Sequence, residues 1–264
     1  MLTQLPGATY YPSVFSADEA RLFDEAKKLP YPLRNRGITR AGGAPKLCAF
    51  QQLDGGLRDQ DGDALPAPVT EITRTLLERG VLRKPPRQCS VNFYNQPGYE
   101  MVPHKDGYSD QAAITSLGSD SVLHFWHAPM DAEERMARDM LHGQHSGTAV
   151  HDDCLERPPH CSVWMEPGSV LVLEGAALSD FVHGLASRAE DRFDGETIAN
   201  AQLVSLPALH ARLAAATSAD GAEQRSGSAA EGEPAAQVVV PRRQRVSVVM
   251  WTAHTPQPAA AAPT

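Results

Sequence analysis

The chain has 264 residues, of which 42% are hydrophobic and 21% charged, a composition typical of a folded domain and not of a disordered chain. Its net charge of −8 argues against bulk electrostatic binding to nucleic acid, although a local basic patch stays open. No stretch approaches the roughly 18 apolar residues of a membrane span. The N-terminus lacks a signal-peptide pattern, and the four cysteines are too few for a disulfide framework. We therefore expect a cytoplasmic or nuclear protein, monomeric and without a membrane partner.

Two helix patterns mark the N-terminal part of the chain. Ser16 and Glu19 match a capping box, and the apolar stripe that follows predicts a helix ending near Lys28. A second helix is predicted from about Pro68 to Glu78, after a turn-rich loop. We therefore predict that residues 1–85 form a helical extension that packs on the core.

After Pro86 the sequence changes to short β-rich runs separated by turn signals. Irregular spacing without regularly alternating helices favours an antiparallel sandwich or jelly roll over a βαβ fold. The predicted strands are Cys89–Tyr94, Ala113–Leu117, Val122–Trp126, Ser162–Met165, Val170–Leu173, Phe181–His183 and Arg245–Trp251.

We assign this domain to residues 86–253. Polar and low-complexity segments interrupt or follow it. A short helix is predicted at Asp131–Leu141 within a polar loop. Residues 212–237 are rich in Ala, Ser, Gly and Glu and predict a disordered insertion, and residues 254–264 form a low-complexity tail.

A His-x-Asp motif follows the first predicted strand and its turn. In an extended chain the side chains of His104 and Asp106 lie on the same side of the strand. A third ligand from a distant strand, for which His183 is the candidate, would complete a face of two histidines and one carboxylate that leaves positions on Fe(II) open. The motif is weak by itself: a surface-turn His104 and a satisfied core His183 are the alternatives, and a second copy at His151–Asp153 lies in a polar loop.

A structural zinc site is a competing interpretation of the middle of the chain. Its candidate ligands are His142, His145, His151, Cys154, His160 and Cys161. There is no Cys-x2-Cys pair, and the intervals match no regular zinc pattern, so solvated loop residues are the favoured account.

The context of the His-x-Asp motif resembles a known family. The stretches Val91–Tyr94 and Met101–Gly107 resemble the iron/2-oxoglutarate dioxygenases of the AlkB family, and further stretches agree in order and spacing over residues 8–252. These further stretches are Ile114–Ser119, Val122–Phe125, Glu166–Leu173, His183–Gly184 and Arg245–Ser247. The residues, order and spacing of these motifs are most similar to the sixth-homologue subfamily of AlkB proteins.

The resemblance implies a mainly β double-stranded β-helix, or jelly roll, with N-terminal α-helices. It implies Fe(II) held by His104, Asp106 and His183, with 2-oxoglutarate and O2 as cosubstrates. Arg245 would pair with the distal carboxylate of 2-oxoglutarate, to which a planar guanidinium is suited. The other implied cosubstrate contacts are Asn92, Tyr94 and Ser247. The implied reaction is hydroxylation or demethylation of an N-alkyl group on a nucleic-acid base or a protein, with release of succinate and CO2.

Two features depart from the family pattern. Trp251 stands where the family has a second arginine, which keeps open the alternative of a jelly-roll binding module with weakened catalysis. A long insertion over residues 190–243 precedes Arg245, and we expect it to be an extruded loop.

Phe50, Tyr108 and Trp251 are candidate walls of the substrate pocket. Clusters of basic residues, such as those around Arg83 and Arg242, are candidates for a phosphate-binding rim.

Overall fold

The structure is a computed structural model and describes residues 1–31, 33–34, 46–53, 56–58, 64–106, 109–128, 154, 156–193, 197–211 and 238–252. The strands within these residues are β1 Ala8–Tyr11, β2 Leu33–Arg34, β3 Lys46–Leu53, β4 Gly56–Arg58, β5 Pro86–Tyr94, β6 Met101–His104, β7 Gln111–Gly118, β8 Ser121–His127, β9 Cys161–Met165, β10 Val170–Glu174, β11 Phe181–Leu185, β12 Glu190–Phe193, β13 Val238–Pro241 and β14 Arg245–Thr252. The helices include α1 Glu19–Ala26, α2 Ala67–Glu78 and α3 Ala176–Ser179.

Two antiparallel sheets face each other. The major sheet has the order β1-β10-β7-β14-β5-β3-β2, with β4 beside β3, and the minor sheet has the order β6-β11-β8-β9. Each predicted strand lies within one of these observed strands. The arrangement confirms the predicted mainly β, jelly-roll fold. No helix in the described part of the chain is long and apolar enough to cross a membrane.

Alternation along the strands sorts side chains between two cores. On β14, Val249 faces the space between the sheets, where it joins residues of the minor sheet such as Phe125. Its neighbours Val248 and Met250 face the other way, into a second core that includes Ile72 of α2. Because successive side chains of a strand point to opposite faces, one strand serves both cores. The inner core, between the sheets, is the one that borders the functional residues.

Helix α1 forms where the sequence predicts a helix, but the predicted capping box is wrong. The N-cap is Asp18, with no side-chain cap hydrogen bond. The carboxylate of Glu19 instead accepts the backbone N–H of Gly118 at 2.5 Å. Gly118 has φ +87°, and a Cβ there would lie 2.7 Å from the ring of Phe23. This position therefore requires glycine where the helix packs on β7.

The region before residue 86 contributes strands as well as the expected helices. β1 pairs with β10, and β3 pairs with β5, so both lie in the major sheet. Helix α2 matches its prediction closely.

Part of the insertion packs on the domain, which corrects the expectation that all of it is an extruded loop. Strands β12 and β13 pair with each other in a separate two-stranded sheet. Phe193, Ile198, Leu209 and Val240 bury their side chains around Trp164 of the minor sheet. Apolar burial therefore ties both flanks of the insertion to the outer face of that sheet. The segments predicted as a helix at Asp131–Leu141, as a disordered insertion at residues 212–237 and as a low-complexity tail lie outside the described residues.

Candidate metal and cosubstrate site

Two strands of the minor sheet and the turn after β6 bring His104, Asp106 and His183 together. His104 ends β6 and is the register partner of His183 on β11. Nε2 of His104 lies 3.8 Å from Oδ1 of Asp106, and Nε2 of His183 lies 3.7 Å from Oδ2. All three residues are buried, and one ligand atom from each lies within 4.8 Å of the others. Two imidazoles and one carboxylate thus converge on one point.

A glycine allows the two strands to approach at this point. A Cβ at Gly184 would lie 2.6 Å from the carbonyl oxygen of Met101 and 2.9 Å from the nitrogen of Pro103. The register of the strand pair also shifts between His183 and Leu185. Any larger residue after His183 would push β11 away from β6 and separate the histidines.

The protonation of the two histidines suits metal binding. Nδ1 of His104 lies 2.9 Å from the carbonyl oxygen of Val102. Because a carbonyl only accepts hydrogen bonds, Nδ1 carries the proton, and Nε2 presents its lone pair towards Asp106. Burial lowers the pKa of His183 to about 4, which keeps that imidazole neutral at physiological pH.

The carboxylate of Asp106 provides the clearest test of whether a metal fits. Its Oδ2 atom is buried and has no hydrogen-bond partner among the described residues. A buried carboxylate oxygen without a partner is costly, and a cation removes that cost. Neutral imidazole and carboxylate together form a donor set that suits Fe(II). The residues present therefore fit the metal that the sequence implies.

Arg245 begins β14 on the inner face of the major sheet. It is 2% exposed and pairs in register with Tyr94 of β5 and Gly118 of β7. Its Nε donates to the hydroxyl of Ser116 at 3.0 Å, and its guanidinium carbon lies 5.2 Å from the centre of the Tyr94 ring. No carboxylate pairs with it within the described ranges. A buried guanidinium without an acidic partner fits an anionic ligand.

The other predicted cosubstrate contacts lie beside Arg245. Ser247 pairs in register with Asn92 on one side and Ser116 on the other, and all three are buried. Oδ1 of Asn92 has no hydrogen-bond partner in the described structure. The hydroxyl of Tyr94 makes a long contact of 3.9 Å to the sulfur of Met101, and burial raises the pKa of Tyr94 to about 12. Tyr94 therefore remains a protonated donor.

The three candidate pocket walls differ in position. Trp251 packs against the inner core, and its indole Nε1 is buried with no partner among the described residues. It is six residues from Arg245, about 20 Å along the strand. Phe50 instead lies in the second core, on the helix side of the major sheet, so it does not line the space between the sheets. This corrects its assignment, because the alternation of β3 was not predicted. Tyr108 lies outside the described residues.

The basic clusters form less of a rim than the sequence predicts. Arg242 and Arg245 are buried. Arg83 forms an ion pair with Glu174 at 2.9 Å, and Lys84 forms one with Asp110 at 3.1 Å. Neighbouring acidic groups thus offset part of the positive charge at the surface.

The described residues give no support to the zinc interpretation. Cys161 belongs to the inner core, while Cys154 packs with Trp126 in a separate small cluster. Nε2 of His160 lies 3.0 Å from the carbonyl oxygen of Gln4. Across the described ranges, the only group with metal-binding geometry is His104, Asp106 and His183. The remaining histidines of that set lie outside the described residues.

An ion pair that the sequence did not reveal lies behind the site. Arg242 donates to both carboxylate oxygens of Asp191, at 2.7 and 3.0 Å, and both side chains are buried. Arg242 also donates to the carbonyl oxygens of Tyr99, just before β6, and Ala186, just after β11. The partners are 51 residues apart in sequence, and no local pattern marks them. This pair therefore joins the two strands that carry His104 and His183.

The match to a protein-family model agrees with this geometry. The family model described as 2OG-Fe(II) oxygenase superfamily matches residues 54–227. The chain is 36% identical over 66 residues to the tRNA (carboxymethyluridine(34)-5-O)-methyltransferase alkbh8 of Xenopus tropicalis, a stretch that spans 24% of this chain and 10% of that protein. A solved structure described as that of OsALKBH1 aligns with a TM-score of 0.44 and 14% identity, over 94% of this chain and 98% of that one.

Proposed function

This chain belongs to the 2OG-Fe(II) oxygenase superfamily, and from that membership we propose that it is an AlkB-like enzyme that hydroxylates an N-alkyl group. The family makes it a 2-oxoglutarate-dependent dioxygenase that uses Fe(II), 2-oxoglutarate and O2. The observation that carries the proposal is the convergence of His104, Asp106 and His183 within 4.8 Å.

In this proposal His104, Asp106 and His183 hold the metal on one face. The chemistry supplied by the bound metal is the coupling of 2-oxoglutarate decarboxylation by O2 to hydroxylation of a substrate C–H bond. The protein's part is to fix its ligands. The carbonyl oxygen of Val102 holds the ring of His104, with Nε2 directed at the site.

The inner face of the major sheet orients the cosubstrate. Arg245 offers its two Nη groups to the distal carboxylate, because its Nε is held by Ser116. Asn92 and Tyr94 stand on alternate positions of the adjacent strand, on the same face. Burial of these groups excludes water, which strengthens each charge-assisted hydrogen bond.

The substrate class is the finer part of the proposal. An N-alkyl group on a nucleic-acid base or on a protein is supported by the AlkB resemblance, and alkbh8 is named as a tRNA methyltransferase. The net charge of −8 and the pairing of Arg83 with Glu174 favour a protein over a polyanion. Binding and turnover assays therefore distinguish a nucleic-acid substrate from a protein substrate.

Absorption spectroscopy tests the metal site. Anaerobic addition of Fe(II) and 2-oxoglutarate to the wild-type protein should give the weak visible charge-transfer band of the chelate. His104→Ala and Asp106→Ala should abolish the band, while His160→Ala, a histidine outside the cluster, should retain it. A band that persists in both site variants would overturn the assignment.

A jelly-roll binding module with weakened catalysis is the second candidate. The observation in its favour is Trp251, whose unpartnered Nε1 lies on the inner face of β14. Conversion of 2-oxoglutarate to succinate without substrate separates the two candidates. Succinate formation that depends on His183 excludes the binding module.

Oligonucleotide binding and formaldehyde release test the substrate class. Methylated and unmethylated oligonucleotides should be compared at low salt, where counterion release favours binding. Formaldehyde release from the methylated oligonucleotide supports a nucleic-acid substrate. No affinity for either oligonucleotide directs the search to methylated proteins.

A further inference from the structure

Tyr99 is a buried residue of the turn between β5 and β6. Its side chain is 1% exposed, and its ring centre lies 4.5 Å from that of Tyr94. The guanidinium carbon of Arg242 lies 5.0 Å from the ring centre of Tyr99, and Nη1 of Arg242 donates to its carbonyl oxygen at 3.0 Å. A ring contact, a cation and a backbone hydrogen bond thus fix the phenol in one position.

The hydroxyl of Tyr99 is the unusual part of this arrangement. It is buried and has no hydrogen-bond partner among the described residues. Burial also raises the pKa of Tyr99, so the hydroxyl stays protonated and is a donor. Buried hydroxyl groups in folded proteins almost always have a partner, because an unsatisfied one destabilises the fold. A rigidly held donor without a partner is thus suited to a ligand.

The neighbours of Tyr99 indicate the charge of that ligand. Tyr99 packs on Tyr94, and Tyr94 packs under the guanidinium of Arg245. Arg245 has no carboxylate partner within the described structure, and its Nε is already bonded to Ser116. A carboxylate has about four lone-pair positions, and a bidentate contact with the two Nη groups of Arg245 fills only two of them. A second donor beside Arg245 would therefore be used.

We propose that the hydroxyl of Tyr99 donates a hydrogen bond to the distal carboxylate of 2-oxoglutarate, next to Arg245. This assignment rests on the proposed function, because it requires the cosubstrate to bind against β14. Tyr99 is then a binding residue that Arg242 holds in place. The hydroxyl of Tyr99 would add a neutral donor to the cosubstrate site. This chain has Trp251, six residues after Arg245, where the family has a second arginine.

Calorimetry on the full chain tests the assignment. The wild type and Tyr99→Phe, each loaded with Mn(II) to prevent turnover, are titrated with 2-oxoglutarate. Phenylalanine keeps the ring contacts and removes only the hydroxyl, so the affinity should fall about tenfold to a hundredfold. A second titration uses 2-oxopentanoate, which has a methyl group in place of the distal carboxylate. The variant should bind this analogue as the wild type does.

Tyr10→Phe is the matched control. The hydroxyl of Tyr10 also lies in the inner core, but it donates to Glu166 at 3.2 Å. This variant should lose stability and keep its affinity for 2-oxoglutarate. Metal-free Tyr99→Phe should melt at the temperature of the wild type or above, since it lacks an unsatisfied group.

Two results would overturn the assignment while leaving the proposed function intact. One is equal affinity of the wild type and Tyr99→Phe for 2-oxoglutarate, and the other is an equal loss of affinity for 2-oxopentanoate. A wild-type protein that binds Mn(II) but not 2-oxoglutarate would overturn the assignment and the proposed function together.

Discussion

The position of the Asp106 carboxylate favours metal binding and lowers the stability of the metal-free protein. Its Oδ2 atom is buried without a hydrogen-bond partner among the described residues. Asp106→Asn should therefore raise the stability of the metal-free protein by about 1–3 kcal/mol, because it removes an uncompensated buried charge. The same change should weaken Mn(II) binding at least about tenfold. Denaturant unfolding and metal titration check both effects. Lower metal-free stability of this variant would contradict the account, and Asp180→Asn on the surface is the control.

Trp251 offers a second prediction at the residue scale. It lies on the same face of β14 as Arg245, about 20 Å further along the strand, and packs against the inner core. An indole has one N–H and no charge, so it cannot replace the ionic part of an arginine–carboxylate contact. We predict that Trp251→Arg binds 2-oxoglutarate about tenfold more tightly. Calorimetry checks this, and an unchanged affinity in a folded variant would show that Trp251 has no part in the cosubstrate site.

At the scale of elements, a buried ion pair joins the two-stranded sheet of β12 and β13 to the minor sheet. Asp191 pairs with buried Arg242 and also accepts the backbone N–H of Val122 on β8. Asp191→Asn leaves the guanidinium buried without a counter-charge, so we expect a loss of about 3–5 kcal/mol in the free energy of unfolding. The double variant Asp191→Asn, Arg242→Gln should recover part of it. Denaturant unfolding measures both.

The exposed pair of Arg21 and Glu71 is the matched control for this prediction. Its atoms are 2.6 Å apart, but Arg21 is 45% exposed and Glu71 is 30% exposed. Glu71→Gln should lower the free energy of unfolding far less than Asp191→Asn does, since solvent screens the pair. Equal losses in the free energy of unfolding from the two substitutions would contradict the stabilising role of Asp191.

The minor sheet should also respond to acid through His124 of β8. Burial, with the nearby positive charge of Arg188, lowers the pKa of His124 to about 4. Nε2 of His124 accepts from Arg188 at 2.9 Å, which requires the neutral ring. An unfolded histidine takes up a proton near pH 6.5, whereas the folded one does so only near pH 4. The contribution of His124 to the free energy of unfolding should thus be constant above about pH 6.5 and fall by up to about 3 kcal/mol towards pH 4.

His124→Gln isolates this contribution. The amide keeps an acceptor for Arg188 but does not titrate, so the stability of this variant should fall less between pH 6.5 and pH 4. Other titrating groups act in both proteins, and the difference between the two curves belongs to His124. Parallel curves would show that His124 does not set the acid response.

At the scale of the whole molecule, the insertion divides into a packed part and a part predicted from composition to be dispensable. Leu209 is fully buried against the minor sheet. Residues 212–237 have almost nothing to bury. Replacing residues 212–237 by a Gly/Ser linker of equal length should leave the melting temperature and succinate formation unchanged. Leu209→Ala should lower the stability by about 2–5 kcal/mol. A large loss from the linker variant would show that the segment has a structural role.

The sequence by itself determined the features that repeat over short distances. The period of two along a strand placed Arg245, Ser247 and Trp251 on one face, and it put His104 and Asp106 on one side of the chain. Turn signals and apolar runs located seven of the observed strands, namely β5, β7, β8, β9, β10, β11 and β14. These patterns are local, so they can be recognised without knowing which strands are neighbours.

Only the tertiary structure decided the contacts between distant segments. No local pattern connects the residues of these contacts. Examples are the ion pair of Asp191 with Arg242, the hydrogen bond from the Gly118 N–H to Glu19, and the packing of Arg242 on Tyr99. Phe50 faces the helices because β3 lies beside β5 in a fixed register. Such contacts depend on which surfaces are buried together, and that choice is made by the energy of the whole fold.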